Sequence, residues 1–208
     1  MTDHPTRSRE PIVLLGIGTL LLAWSGVGPK DRLTWFLEVA PIFLVVPVLL
    51  ATARRFPLTP LLYRLVFVHA LILMLGGHYT YAEVPLGFWM QDWFGFTRNH
   101  YDRIGHLAQG FVPAILAREI LLRRTPLRQG GWLFTLVTSV CLAFSAFYEL
   151  IEWWSAVFLG DGSDAFLGSQ GDIWDAQWDM FLCLIGAVVS QLWLSRLHDR
   201  QLARLVKN

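Results

Sequence analysis

Apolar residues run along this chain in six long blocks, roughly 11–27, 33–53, 60–77, 104–122, 131–158 and 176–195. A membrane-crossing helix needs about 20 mostly apolar residues. The pattern therefore predicts an all-α fold, a polytopic bundle of about six transmembrane helices, with residues 1–208 forming a single integral membrane domain. The first block is short. The fifth is long, and its last turns carry Tyr148, Glu149 and Glu152.

The links between blocks differ in character. Residues 78–103, HYTYAEVPLGFWMQDWFGFTRNHYDR, are rich in Trp, Phe and Tyr, which suit a membrane–water interface. They predict a segment lying along the outer surface, with a short amphipathic helix around Phe88–Phe96. The link LGDGSDAFLGSQGDIWD is rich in Gly and acid and predicts a turning loop.

Composition agrees with this pattern. Hydrophobic residues make up 54% of the chain and charged residues only 16%, where soluble domains carry about 25% charged residues. A net charge of +1 gives no case for nucleic acid as a partner; the expected partner is membrane lipid. The polar start MTDHPTRSREP leads into the first block with no small-residue cleavage site, which reads as an uncleaved first helix. Cys141 and Cys183 lie inside apolar blocks without metal-type spacing, and read as buried thiols.

Lys and Arg then orient the spans. With both termini cytoplasmic, thirteen of the seventeen basic residues fall inside, and only Lys30, Arg32, Arg98 and Arg103 fall outside. Between Gln129 and Ser195 there is no Lys or Arg. This asymmetry follows the positive-inside rule and favours six spans with both ends cytoplasmic.

On that topology, acids and imidazoles from four helices come to one depth at the outer face. His78 ends span three. Asp102 and His106 begin span four, with Gln109 on the same helical face. Glu149 and Glu152, three apart, end span five. Asp172, Asp175 and Asp179 lead into span six. Residues three and four apart on a helix are neighbours, and bundles build metal sites from such inward-facing pairs. Charged groups in a membrane are expensive and mark functional sites.

Seven acids lie between Gln129 and Ser195, namely Glu149, Glu152, Asp161, Asp164, Asp172, Asp175 and Asp179, with no base among them. Such a cluster calls for a counter-charge or for protons. A divalent metal supplies the first. Carboxylates with His fit Zn, Mn or Fe, and Mg or Ca if the ligation is all oxygen. The expected ligands are Asp102, His106, Asp175, Asp179 and His78. Glu149 or Glu152 is the expected general base or a further ligand, and Arg103 the group that grips a phosphate.

Several of these residues also have plainer readings. Asp102 suits a helix N-terminus, and Asp172 or Asp175 could cap span six. Glu119 and Arg123, at i and i+4, read as a surface pair. His69 reads as a hydrogen-bonded interior imidazole, Glu38 as a carboxylate reaching the headgroups, and His100 as an interfacial loop residue.

The motifs YDRIGHLAQGF, AFYELIEWW and QGDIWDAQWDMFLCLIGA, in that order, resemble the YjdF family of bacterial inner-membrane proteins over nearly the whole chain. The resemblance implies a multi-pass protein of the bacterial inner membrane. A looser similarity is to VanZ-like membrane proteins. Their pattern falls here on Asp102, Arg103 and His106, on Glu149 and Glu152, and on Asp175, Asp179 and Gly186. Glu152 stands where VanZ-like proteins often have Gln. Those proteins are associated with glycopeptide resistance, so this resemblance implies lipid or envelope chemistry.

Three functions are compatible with the sequence. One is a metal-dependent membrane enzyme acting on a lipid or lipid-linked envelope substrate, although HExxH, GxSxG and the phosphatase-type Arg-x6-Arg-Pro are absent. The second is a cation- or proton-linked carrier. The third is a non-catalytic envelope factor whose polar cluster is structural.

Overall fold

The computed structural model describes residues 9–160 and 164–207. Arg7 and Asp161, counted above, lie outside the described residues. Eight α-helices are present among the described residues: α1 (Glu10–Ser25), α2 (Arg32–Thr52), α3 (Pro60–Tyr79), α4 (Pro85–Phe94), α5 (Tyr101–Arg124), α6 (Gly131–Leu159), α7 (Asp164–Leu167) and α8 (Asp175–Lys207). A 3-10 turn, Tyr81–Glu83, follows α3. There is no strand among these residues.

Local chemistry places the helix starts. Pro stands in the first turn of α1, α3 and α4, where a missing N–H is harmless. Asp31 caps α2, accepting from the Thr34 N–H at 2.6 Å. Gly95, at φ 68°, closes α4 in the left-handed conformation that favours glycine. The short helix expected around Phe88–Phe96 is therefore present, starting and ending slightly earlier than the sequence predicts. The described part of the Gly-rich link, 164–174, turns as expected and carries the one-turn helix α7.

Helices α2, α3, α6 and α8 are long and apolar enough to cross a membrane. Helix α1 is apolar but has 16 residues, a length of roughly 24 Å. Helix α5 is the exception in composition, with Asp102 and Arg103 near one end and Arg118, Glu119, Arg123 and Arg124 near the other. Its position explains this. It packs against α3, α6 and most extensively α8, so its polar side chains face protein. Lipid-facing apolar residues lie on the surrounding helices, for example Leu44 on α2, Phe144 on α6 and Trp193 on α8.

The α5–α8 crossing depends on two glycines. A Cβ on Gly110 would collide with the backbone of Cys183, and one on Gly186 with the backbone of Leu107. Small residues let membrane helices approach closely, which gives Gly186 in the VanZ-like pattern a physical reason. Cys141 and Cys183 are free and buried in the adjoining core with Ala114, Val137 and Ala187.

Consecutive spanning helices alternate in direction. The start of α3 meets the ends of α5 and α8, and Arg64 of α3 pairs with Glu10 at the start of α1. The described chain thus begins and ends at one end of the bundle. The opposite end, where α5 begins, is here named the outer end, following the basic-residue asymmetry.

At the inner end the sequence reading of Glu119 and Arg123 as a surface pair is incorrect. Glu119 and His198 have no exposed surface. Glu119 accepts from Arg123 at 2.6 Å, from the Thr59 hydroxyl at 2.8 Å and from the Thr59 N–H. Arg118 Nη1 donates to His198 Nδ1 at 2.8 Å and to Asp199 at 2.6 Å. Nδ1 is therefore the acceptor of that ring, and Nε2 donates to Glu119 at 3.0 Å. Gln201 accepts the Leu61 N–H at 2.8 Å. The free N–H groups at the start of α3 are thus capped from α5 and α8. This also explains why α8 continues to Lys207, well past the end of its apolar block.

Candidate functional site

The outer end holds a second polar cluster, arranged in two tiers. The upper tier is held by arginine. Arg103 donates to Asp179 at 2.7 Å, Asp175 at 2.9 Å and Asp172 at 3.1 Å. Arg98 donates to Asp175 at 2.7 Å and to the Ser169 carbonyl at 2.6 Å. Asn99 and Gln170 bond reciprocally, the Asn99 N–H to Gln170 Oε1 and Gln170 Nε2 to the Asn99 carbonyl. These bonds tie the start of α5 to the link before α8 and form a roof. Burial, with Arg98 and Arg103 beside it, pushes the His100 imidazole below its usual range, so this ring adds no positive charge at neutral pH.

The lower tier contains Asp102 and His106 of α5, Glu149 and Glu152 of α6 and Asp179 of α8. Helical spacing puts Asp102 and His106 one turn apart, and His106 Nε2 lies 3.3 Å from Asp102 Oδ1 and 3.9 Å from Asp179 Oδ2. On the other side of the ring, Nδ1 lies 3.1 Å from Gln109 Oε1 and 3.9 Å from Glu149 Oε1. Two overlapping groups have ligand atoms within 4.8 Å of one another: Asp102, His106 and Asp179, and His106, Glu149 and Glu152.

Both tiers contain buried polar atoms without a partner, Arg98 Nε in the upper and two carboxylate oxygens in the lower. Asp102 Oδ2 and Glu149 Oε1 are fully buried and have no hydrogen-bond partner among the described residues. A buried polar atom without a partner is expensive, and rare in proteins. Buried carboxylate oxygens aimed into a carboxylate–imidazole cluster fit a cation.

The structure brings together Asp102, His106, Glu149, Glu152 and Asp179. Asp175 and Arg103 belong to the same cluster but are committed to the ion-paired upper tier. His78 does not join it. Its Nδ1 bonds the Ser25 carbonyl at 2.9 Å and its ring stacks on Trp24, which ties α3 to α1. His78 sits at the right end of the bundle but on the side facing α1.

Glu38 does join, whereas the sequence reading sends it to the headgroups. It is 5% exposed and lies within electrostatic reach of Tyr81, Asp102 and His106. Tyr81 fills a slot between Gly76 of α3 and Gly105 of α5, where a Cβ at Gly105 would come within 2.7 Å of its ring. Burial, with Glu38 beside it, pushes the Tyr81 hydroxyl well above its ordinary range, so it remains a donor facing a carboxylate. A lone acid in an otherwise apolar span, opposite the Gly76–Gly77 pair, is the sequence signal for this contact. His69 is half-buried within reach of His106 and makes no hydrogen bond among the described residues, unlike the hydrogen-bonded ring expected.

Comparison with known proteins adds the following. The model of a family described as "Predicted membrane protein (DUF2238)" matches residues 10–200. The inner membrane protein YjdF of Escherichia coli (strain K12) is 54% identical over 202 residues, covering 96% of this chain and 97% of that protein. No solved structure matches.

Proposed function

Because the chain belongs to the DUF2238 family of membrane proteins and is an integral protein of the inner membrane, we propose that its outer-end cluster is a divalent-metal site acting on a lipid or lipid-linked envelope substrate. The observation that carries this reading is the unpartnered Asp102 Oδ2, buried beside His106 and Asp179. Asp102, His106 through Nε2, and Asp179 are the proposed ligands. The mixed nitrogen and oxygen donors favour Zn, Mn or Fe over Mg or Ca.

A bound cation would polarise a phosphoryl or carbonyl oxygen of the substrate. The protein's own groups supply the rest. Gln109 Oε1 faces Nδ1 and fixes the ring so that Nε2 points at Asp102 and Asp179, the orienting role that outer partners of metal-binding His residues play. Glu149, with an unpartnered oxygen beside His106, is placed either to take a proton or to serve as a further ligand. Arg103 holds Asp179 in position, which replaces the phosphate-gripping role expected from sequence. In this reading both termini are cytoplasmic and the site faces the periplasmic side.

Elemental analysis of detergent-purified protein tests the proposal, beside Asp179→Ala and His106→Ala. Bound metal in the wild type, lost in both variants, is the expected result. Wild-type protein free of metal, with the cell's envelope function intact, would sink the reading and make cation or proton flux in vesicles the next measurement.

A further inference from the structure

The His106 ring divides the lower tier into two compartments. On its Nε2 side lie Asp102 and Asp179, at 3.3 and 3.9 Å. On its Nδ1 side lies Glu149 at 3.9 Å, with Glu152 completing the second group of ligand atoms. Each compartment contains one fully buried carboxylate oxygen without a partner, Asp102 Oδ2 in the first and Glu149 Oε1 in the second. The Glu149 side chain is itself only 10% exposed. A single cation in the first compartment satisfies the first of these oxygens and leaves the second as it was.

Charge points the same way. Arg98 and Arg103 are engaged by Asp172, Asp175 and Asp179. The carboxyl groups of Asp102, Glu149, Glu152 and Glu38 make no ion pair with Lys or Arg among the described residues. One divalent cation offsets two of those four charges, and a second offsets the other two. Taking charges out of water is tolerable only where they are compensated.

We propose that the site holds two divalent cations, one on each side of the His106 ring, with Glu149 and Glu152 binding the second. This rests on the metal reading above. The first cation takes Nε2 with Asp102 and Asp179. The second takes Glu149 and Glu152 on the Nδ1 side of the ring, where Nδ1 keeps its hydrogen bond to Gln109.

The test is a stoichiometry. Full-length protein in detergent is stripped with a chelator, reloaded with Mn(II), desalted and measured for metal per chain. Asp102→Asn, Glu152→Gln and Glu149→Gln are treated alike, with thermal unfolding confirming that each is folded. Two ions in the wild type and one in each variant is the expected result. If Glu152→Gln does not fold, Glu149→Gln reads the same compartment. One ion in the wild type, unchanged in Glu152→Gln and Glu149→Gln, overturns the second site and leaves the single-metal reading standing. No ion in the wild type overturns both.

Discussion

Helices α5 and α8 carry a buried polar cluster at each end, and the two clusters are built on opposite principles. At the inner end Glu119 accepts from four donor groups through its two oxygens, His198 is bonded at both nitrogens, and Arg118 and Arg123 are paired. At the outer end the lower tier leaves Asp102 Oδ2 and Glu149 Oε1 without partners. Both clusters are buried and both contain acid, imidazole and guanidinium. The inner one locks helices together. The outer one keeps two buried carboxylate oxygens without a partner, which is where a bound cation is proposed. Burial of charge alone therefore does not distinguish the two clusters, whereas unpartnered carboxylate oxygens do.

Stability measurements on variants can break this contrast. The largest loss is expected from Glu119→Ala, which leaves His198, Arg123 and the Thr59 N–H without their shared acceptor. Removing one partner from a buried charged network costs about 3–5 kcal/mol, read as a lowered unfolding midpoint in detergent. Gly186→Leu comes next. It forces α8 off α5 between the clusters and should cost about 1–3 kcal/mol, with both ends disturbed together. A variant that keeps its unfolding midpoint would show the crossing to be looser than the structure has it.

Gln201→Ala removes only the acceptor for the Leu61 N–H at the start of α3. A loss of about 1 kcal/mol is expected, and a larger loss would extend the inner lock beyond Glu119. The smallest effect, and the most telling, belongs to Asp102→Asn. Its midpoint should stay within about 1 kcal/mol of the wild type or rise, because the substitution removes a buried charge that lacks full compensation. Its metal content should fall. A loss as large as that of Glu119→Ala would make the outer cluster a structural lock like the inner one.

The sequence is informative about depth and silent about direction around a helix axis. Six apolar blocks reveal the spans because lipid imposes hydropathy on any helix that faces it. The i, i+4, i+7 spacing of Asp102, His106 and Gln109 places them on one face, and the structure keeps them there. His78 shares their depth, yet it turns toward α1, which nothing in its neighbours announces. Glu119 looks satisfied by Arg123 four residues away. Its other partners, Thr59 and His198, are 60 and 79 positions distant, and local spacing cannot reveal them. Arg98, Asn99 and Gln170 build the roof through pairings about 70 residues apart. The missing half of the site is thus the half made by tertiary contacts.

The composition of α5 also bears on how the protein is made. On insertion scales an Asp or Arg near the centre of a helix disfavours membrane entry by about 2.5–3.5 kcal/mol, and less toward its ends. Helix α5 carries such residues at both ends, and its principal packing partner, α8, lies further along the chain, beyond α6. Until α8 is made, α5 has only α3 and α6 to pack against. A chain stopped before α8 would leave α5 without the surface that makes it tolerable in a bilayer.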